Sequence, residues 1–173
     1  PGFPFIVLRP TGVYGPREKD YFMMAESIKK HVDFAAGLRP QDLTFIYVKD
    51  LVEAVFLALD HGNTGSRYHL SDGNVYPSRA FSDLIRRELG NPWLLRVKAP
   101  LWLLRAITAA GEAVGRLTGR MTALNNDKYK IMRQRNWRCD IGPAVAELGF
   151  RPRYGLAEGV REAIEWYKEN KWL

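Results

Sequence analysis

Sulfur chemistry is almost missing from this chain. One cysteine, Cys139, among 173 residues leaves no second thiol for a disulfide and excludes a cysteine-based zinc site, a usage that suits a reducing cytoplasm. No apolar run is long enough to span a bilayer, and no secretory leader is recognisable. Acidic residues are in deficit, 19 against 26 lysines and arginines, for a net charge of +7. Such an excess marks a nucleic-acid binder when it gathers on one surface. Here it is dispersed in small groups: Lys29-Lys30, Arg86-Arg87, Lys128 with Lys130, then Arg133, Arg135 and Arg138. Solvated helix faces account for these, and no nucleic-acid partner is expected. There is no low-complexity segment and no internal repeat, and a hydrophobic fraction of 46% is enough for a core. The first residue is Pro1 rather than Met, so a piece of a longer chain is expected.

What is present is most informative near the start. Residues 3–8 form an apolar run predicted to be a buried strand. The chain then turns through Arg9-Pro10-Thr11-Gly12-Val13-Tyr14-Gly15-Pro16, with Tyr14 predicted to be exposed between the prolines and glycines. A strand delivered into a rigid Gly/Pro loop is how open α/β sheets present backbone to a ligand at their carboxyl edge. Beyond it the pattern predicts a helix over 20–31, a loop over 34–41 and a strand over 43–48. Asp50 reads as the cap of a helix running to Leu59, ended by His61 and a left-handed Gly62. Residues 67–70 read as a strand and 71–74 as a turn. Ser78 reads as the cap of a helix to Leu89, before Gly90. Residues 92–100 read as extended, 101–117 as a long apolar helix and 127–134 as a basic one. A short helix capped by Asp140 ends at Gly149. A terminal amphipathic helix over 156–168 carries Val160, Ala163, Ile164 and Tyr167 on one face. Strands few and scattered among helices indicate an α/β chain without a self-sufficient parallel sheet.

Four segments, in order, carry a resemblance. They are Leu8-Arg9-Pro10-Thr11-Gly12-Val13-Tyr14-Gly15-Pro16; Phe45-Ile46-Tyr47-Val48-Lys49-Asp50-Leu51-Val52-Glu53-Ala54; Tyr68-His69-Leu70-Ser71-Asp72-Gly73; and Glu147-Leu148-Gly149-Phe150-Arg151-Pro152, with the helix ending Trp166-Tyr167. Together they resemble the C-terminal half of an extended short-chain dehydrogenase/reductase, the NAD-dependent epimerase/dehydratase group. The resemblance implies the C-terminal part of an NAD(P)-binding Rossmann fold with a small, mainly helical substrate-binding domain, its N-terminal sheet strands missing. Residues 1–19 and 43–72 would belong to the sheet side, and 20–42 and 73–173 to the substrate domain and packing helices. It implies NAD or NADP as cofactor, bound mainly by an absent N-terminal half, and a small-molecule substrate.

In that family a Gly-rich loop receives the pyrophosphate, and a Tyr-x-x-x-Lys pair on a helix moves the substrate proton. Both lie upstream of the Arg9-Pro10 loop, so no catalytic residue and no metal ligand is assigned here. Tyr167 and Lys171 have the right spacing but no cofactor loop before them, and read as helix surface and core. Gly111, Gly115 and Gly119 read as small residues that let helices approach. By the same resemblance Pro10, Thr11, Gly12 and Val13 contact the nicotinamide, with Pro10 fixing the backbone, while Arg9 is structural. Tyr14 and Tyr47 are candidates for the substrate cleft, Tyr47 standing where many members carry His. Packing under the loop for Tyr14, and burial in the strand for Tyr47, remain equally open.

Nucleotide-sugar members often hold the diphosphate with an arginine just before the second strand, because its fork matches phosphate oxygens. That position here is Leu43, beside Thr44, which leaves Arg39, Arg133 or Arg135 to substitute. The apolar run over 101–117 and Trp137 favour the 3β-hydroxysteroid dehydrogenase-like and dihydroflavonol reductase-like branches, with a bulky apolar substrate. The nucleotide-sugar substrate is the alternative, and a non-catalytic binding module on the same fold is another. Isolated, the piece would expose residues 3–8 and 43–48, so self-association is expected.

Overall fold

The computed structural model describes residues 3–36, 39–103, 105, 106, 109, 130 and 134–173. The expected helices over 101–117 and 127–134, and the glycines 111, 115 and 119, lie almost wholly outside the described residues. In chain order the elements are β1 (Val7–Pro10), β2 (Gly12–Tyr14), α1 (Lys19–Lys29), β3 (Val32–Ala36), β4 (Asp42–Leu43), β5 (Phe45–Tyr47), α2 (Val48–His61), β6 (Arg67–Leu70), β7 (Tyr76–Pro77), α3 (Ala80–Glu88), β8 (Leu95–Ala99), α4 (Gly142–Leu148) and α5 (Leu156–Glu169).

Among the described residues the strands meet in four pairs. β1 runs parallel to β6, with Val7 opposite Arg67 and Pro10 opposite Leu70. β2 runs parallel to β5, with Gly12 opposite Phe45, and β3 parallel to β8. β4 and β7 pair antiparallel. Parallel pairing needs long crossovers, and helices supply them. The α/β class is as expected.

Two apolar clusters hold the pairs together. One gathers Tyr14, Phe45, Tyr47, Phe81, Ile85, Val160, Ile164 and Tyr167 between β2, β5, α1, α3 and α5. The other packs Ile46, Ala54, Ala58, Tyr68, Leu70, Leu148 and Phe150 between α2, β6 and α4. The apolar face of α5 is buried at Val160, Ala163, Ile164 and Tyr167 as its spacing predicts.

Several local expectations need correction. The first strand begins at Val7; Phe3 and Phe5 lie before it and are 84% and 50% exposed. Residues 43–48, expected exposed, are buried at Phe45, Ile46 and Tyr47. The loop over 34–41 is in part strand β3. It contains a buried carboxylate, Asp33, to which Arg79 donates at 2.8 Å. Helix α2 starts behind Tyr47 without a side-chain cap. Asp50, in its first turn, instead accepts the backbone N–H groups of Arg153 and Tyr154, each at 3.1 Å. Gly62 is not left-handed (φ −74°, ψ 139°). Its missing side chain serves close approach, since a Cβ there would lie 2.4 Å from the Ala58 carbonyl oxygen and 2.5 Å from Ile6 Cδ1. Arg79, not Ser78, precedes α3, and no side chain caps it. Helix α4 begins after Ile141, while Asp140 accepts from Gly142 N at 2.7 Å.

Candidate functional site

The Gly/Pro loop is two short strands broken at one residue. Thr11 donates both its N–H (3.0 Å) and its hydroxyl (3.3 Å) to the Leu70 carbonyl, which pins the break to the end of β6. Pro10 is exposed, while Thr11, Gly12 and Val13 are half-buried. Tyr14, expected to be exposed, is 1% exposed. It points into the first cluster, with Phe81 5.2 Å and Tyr47 5.4 Å away by ring centroid. The alternation of a strand explains this: Tyr14 pairs beside Tyr47 in the β2–β5 register, and both rings face the helices. Among the described residues the Tyr14 hydroxyl has no hydrogen-bond partner. Burial drives both phenol pKa values upward, with nearby carboxylates adding to it, so both rings stay neutral at any ordinary pH.

Beside these rings lies a cavity of about 250 Å³. Gly12 forms part of its wall together with Tyr21 and Met24 of α1, Leu43 of β4, Phe45 of β5, Phe81 of α3 and Trp137. Gln41, Thr44 and Ser78 complete it. Glu18 positions Tyr21 by capping α1, accepting from Asp20 N at 2.9 Å and Tyr21 N at 2.6 Å. The Tyr21 ring then stacks on Phe81, 4.4 Å between centroids and 27° between planes. Gly12 is forced by this packing: a Cβ there would lie 2.6 Å from the Tyr21 hydroxyl oxygen and 3.1 Å from Phe45 Cδ1. Trp137 is carried to the rim by a short ladder. Asp42 N donates to the Arg135 carbonyl, Trp137 N donates to the Asp42 carbonyl, both at 2.9 Å, and Thr44 Oγ1 donates to the Trp137 carbonyl at 2.6 Å.

Behind β5 the turn after β6 is charged and half-enclosed. Asp72 donates its N–H to the Phe45 carbonyl at 2.8 Å, and its carboxylate accepts from Tyr76 Oη at 2.5 Å and Asn74 N at 3.0 Å. Burial raises the Asp72 pKa, against the pull of those donors. Tyr76 is pushed up to about 12 by burial and by its bond to that carboxylate.

A strand, a pinned break at Thr11 and a cavity against Gly12 thus lie together, and comparison with known families bears on the fold that carries them. Residues 1–71 match the NAD dependent epimerase/dehydratase family. Among curated relatives, a dTDP-glucose 4,6-dehydratase of an Actinoplanes species is 24% identical over 98% of this chain and 46% of its own length. Among solved structures, dTDP-glucose 4,6-dehydratase of Bacillus anthracis, in complex with NAD, superposes with a TM-score of 0.70 at 17% identity. It covers 96% of this chain and 45% of that one. UDP-glucuronic acid 4-epimerase of Bacillus cereus, with UDP-glucuronic acid and NAD, gives a TM-score of 0.70 at 15% identity, covering 96% and 46%. The chain therefore spans about half the length of the curated relatives it matches, and it shares the Rossmann-like α/β fold of the epimerase/dehydratase structures.

Against this family pattern, the candidate residues separate. Gly12 alone of the four loop residues lines the cavity. Tyr14 and Tyr47 sit together in the core. Arg39 and Arg135 are exposed, and neither is part of the cavity wall. The Tyr-x-x-x-Lys spacing at Tyr167 and Lys171 is structural: Tyr167 is buried, its hydroxyl 3.0 Å from the Gly15 carbonyl and 2.8 Å from that of Glu18. Sequence reasoning missed Tyr21, Met24, Ser78 and Phe81. The one signal that pointed toward the cavity was the pair Leu43-Thr44 with Trp137. Among the described residues no cluster of metal-ligating side chains occurs, and no helix is long and apolar enough to cross a membrane.

Proposed function

We propose that this chain is the substrate-side, C-terminal part of an NAD(P)-dependent epimerase, dehydratase or reductase, with its cavity as the substrate seat. The observation that carries the reading is the cavity's contact with Gly12. At that point only backbone separates the loop from the substrate space. A flat apolar ring fits against such a surface, and Pro10, Thr11, Gly12 and Val13 form the wall that would meet the nicotinamide. Residues 1–19 and 43–72 then serve the sheet side, and 20–42 and 73–173 the substrate side.

NAD or NADP, when bound, supplies hydride exchange between its nicotinamide C4 and a carbinol or carbonyl carbon. This chain's residues do the rest locally. The Thr11–Leu70 bonds fix the wall, and Tyr21, Phe45, Phe81 and Trp137 exclude water. Proton transfer belongs to residues that precede the loop in the parent. Exposed Phe3, Phe5, Val52, Phe56 and Leu59 are covered by the rest of the parent, and the isolated chain self-associates. The protein works in the cytoplasm.

Two measurements test this. Sequence upstream of Pro1 carries a Gly-rich loop and a helical Tyr-x-x-x-Lys pair; their absence would favour a non-catalytic binding module. The longer protein oxidises or reduces nicotinamide at 340 nm, while the 173-residue chain alone does not, and Gly12→Val abolishes turnover in the longer protein. A nucleotide-sugar substrate is the second reading, favoured by the names of the relatives. Arg39 or Arg135 would then have to swing in to meet the diphosphate.

A further inference from the structure

The cavity wall is sparing in polar groups. None of the ten described residues of the wall is charged. Two of its polar side chains are already spent on the protein, Thr44 on the Trp137 carbonyl and Gln41 on the Gln134 carbonyl. What remains is the hydroxyl of Tyr21, which lies against Gly12, and that of Ser78. Neither is hydrogen-bonded within the described residues, and both belong to the wall of the cavity. Burial, with the Glu18 and Asp20 carboxylates adding to it, pushes the Tyr21 pKa upward, so the phenol keeps its proton and can donate it.

We propose that the cavity takes an uncharged, apolar ring compound bearing one carbonyl or hydroxyl oxygen, and that Tyr21 Oη is the donor that fixes this oxygen beside Gly12. A diphosphate is the wrong chemistry for the wall. Moving phosphate charge against methionine, leucine and four aromatic rings, with no cation among the described wall residues, leaves its desolvation uncompensated. An apolar carbon frame, by contrast, gains from Met24, Leu43 and the aromatic rings of the wall. A dry cavity of about 150 Å³ accepts a benzene ring, so about 250 Å³ has room for two fused rings. The oxygen then meets a hydroxyl that has no hydrogen-bond partner among the described residues.

The proposal rests on the cavity being the substrate seat, and it is tested without cofactor so that the two can fail separately. The 173-residue chain is titrated calorimetrically with 1-tetralone, with tetralin (the same rings without the oxygen) and with UDP. Both bicyclic probes bind and UDP does not. Tyr21→Phe keeps the stack on Phe81 and removes only the donor. It weakens 1-tetralone about 3- to 10-fold, the worth of one hydrogen bond, and leaves tetralin unchanged. Met24→Trp, which fills the cavity, abolishes both. Binding of UDP in preference to the ketone, no binding of either bicyclic probe, or equal loss of both on Tyr21→Phe would overturn the proposal. If the probes bind as expected but the longer protein transfers no hydride, the enzymatic reading fails and the ligand class stands.

Discussion

Gly159 and Tyr14 offer a decisive test of how tightly the terminal helix is seated. Gly159 lies inside α5, where alanine is intrinsically favoured by about 1 kcal/mol. A Cβ at this position, however, would lie 2.4 Å from Tyr14 Oη, 2.8 Å from Cε2 and 2.9 Å from Cζ. The tyrosine has no room to retreat, because Phe81, Tyr47 and Phe45 surround its ring at 5.2, 5.4 and 6.2 Å. Overpacking of this kind costs about 1–3 kcal/mol, so Gly159→Ala is expected to destabilise by about 1 kcal/mol net. Tyr14→Phe removes a buried hydroxyl that has no hydrogen-bond partner among the described residues, and relief of that burden stabilises by about 1 kcal/mol. It also removes the atom nearest the new methyl. The double variant should therefore lose less than the sum of the singles predicts, with a coupling of about 1 kcal/mol. Urea unfolding of the four chains measures it. A Gly159→Ala chain more stable than its parent, or singles that add without coupling, would refute this account of the contact.

Other perturbations follow from the same structure. Asp50→Ala leaves the N–H groups of Arg153 and Tyr154 without their buried acceptor and should cost about 3 kcal/mol, read as a lowered urea midpoint; Asp50→Asn, which keeps one acceptor oxygen, should cost less. Tyr167→Phe releases the contacts to the Gly15 and Glu18 carbonyls and should lower stability by about 1 kcal/mol. In the longer protein it should leave nicotinamide turnover intact, as a catalytic tyrosine would not. Burial raises the folded pKa of Asp72 above its ordinary 3.8. Stability from this group is therefore present below the unfolded pKa and lost as pH rises through the folded one. Asp72→Asn escapes that loss, so its melting temperature should gain on the parent at neutral pH, and the gain should vanish toward pH 3.

What could be read in advance was whatever is encoded within one element. Arg67–Leu70 reads as a strand in the sequence, and its burial alternates as a strand's does, with Tyr68 and Leu70 inward. The packed face of α5 and the left-handed Gly149 at the end of α4 were visible from helical spacing and a terminating glycine. Strand β3 was not, because Asp33 interrupts its apolar character. The partner that makes this burial tolerable, Arg79, lies 46 residues away. Asp50 looked like a cap because aspartate near a helix start usually is one. Its actual role depends on residues 153 and 154 folding back over it. The cavity was the least legible part. Tyr21, Phe81 and Trp137 come from separate stretches, and only the stacking of α1 on α3 and the Asp42 ladder put them in one wall. For Tyr14 a Gly/Pro-rich sequence suggests an open turn and leaves packing under the loop equally open; pairing with β5 makes it a strand with an inward face and decides for burial.

The Tyr167 contact has a consequence for how the molecule is made. The loop at residues 15–18 is synthesised 149 to 152 residues ahead of the hydroxyl that braces it. Until then the rings of Tyr14, Phe45 and Phe81 lack α5 as a lid, and a chain still on the ribosome holds an open aromatic surface. Contacts this distant in sequence also slow folding. The growing protein thus has a long interval in which its stickiest side is bare, and a chaperone or a neighbouring nascent chain would find it there.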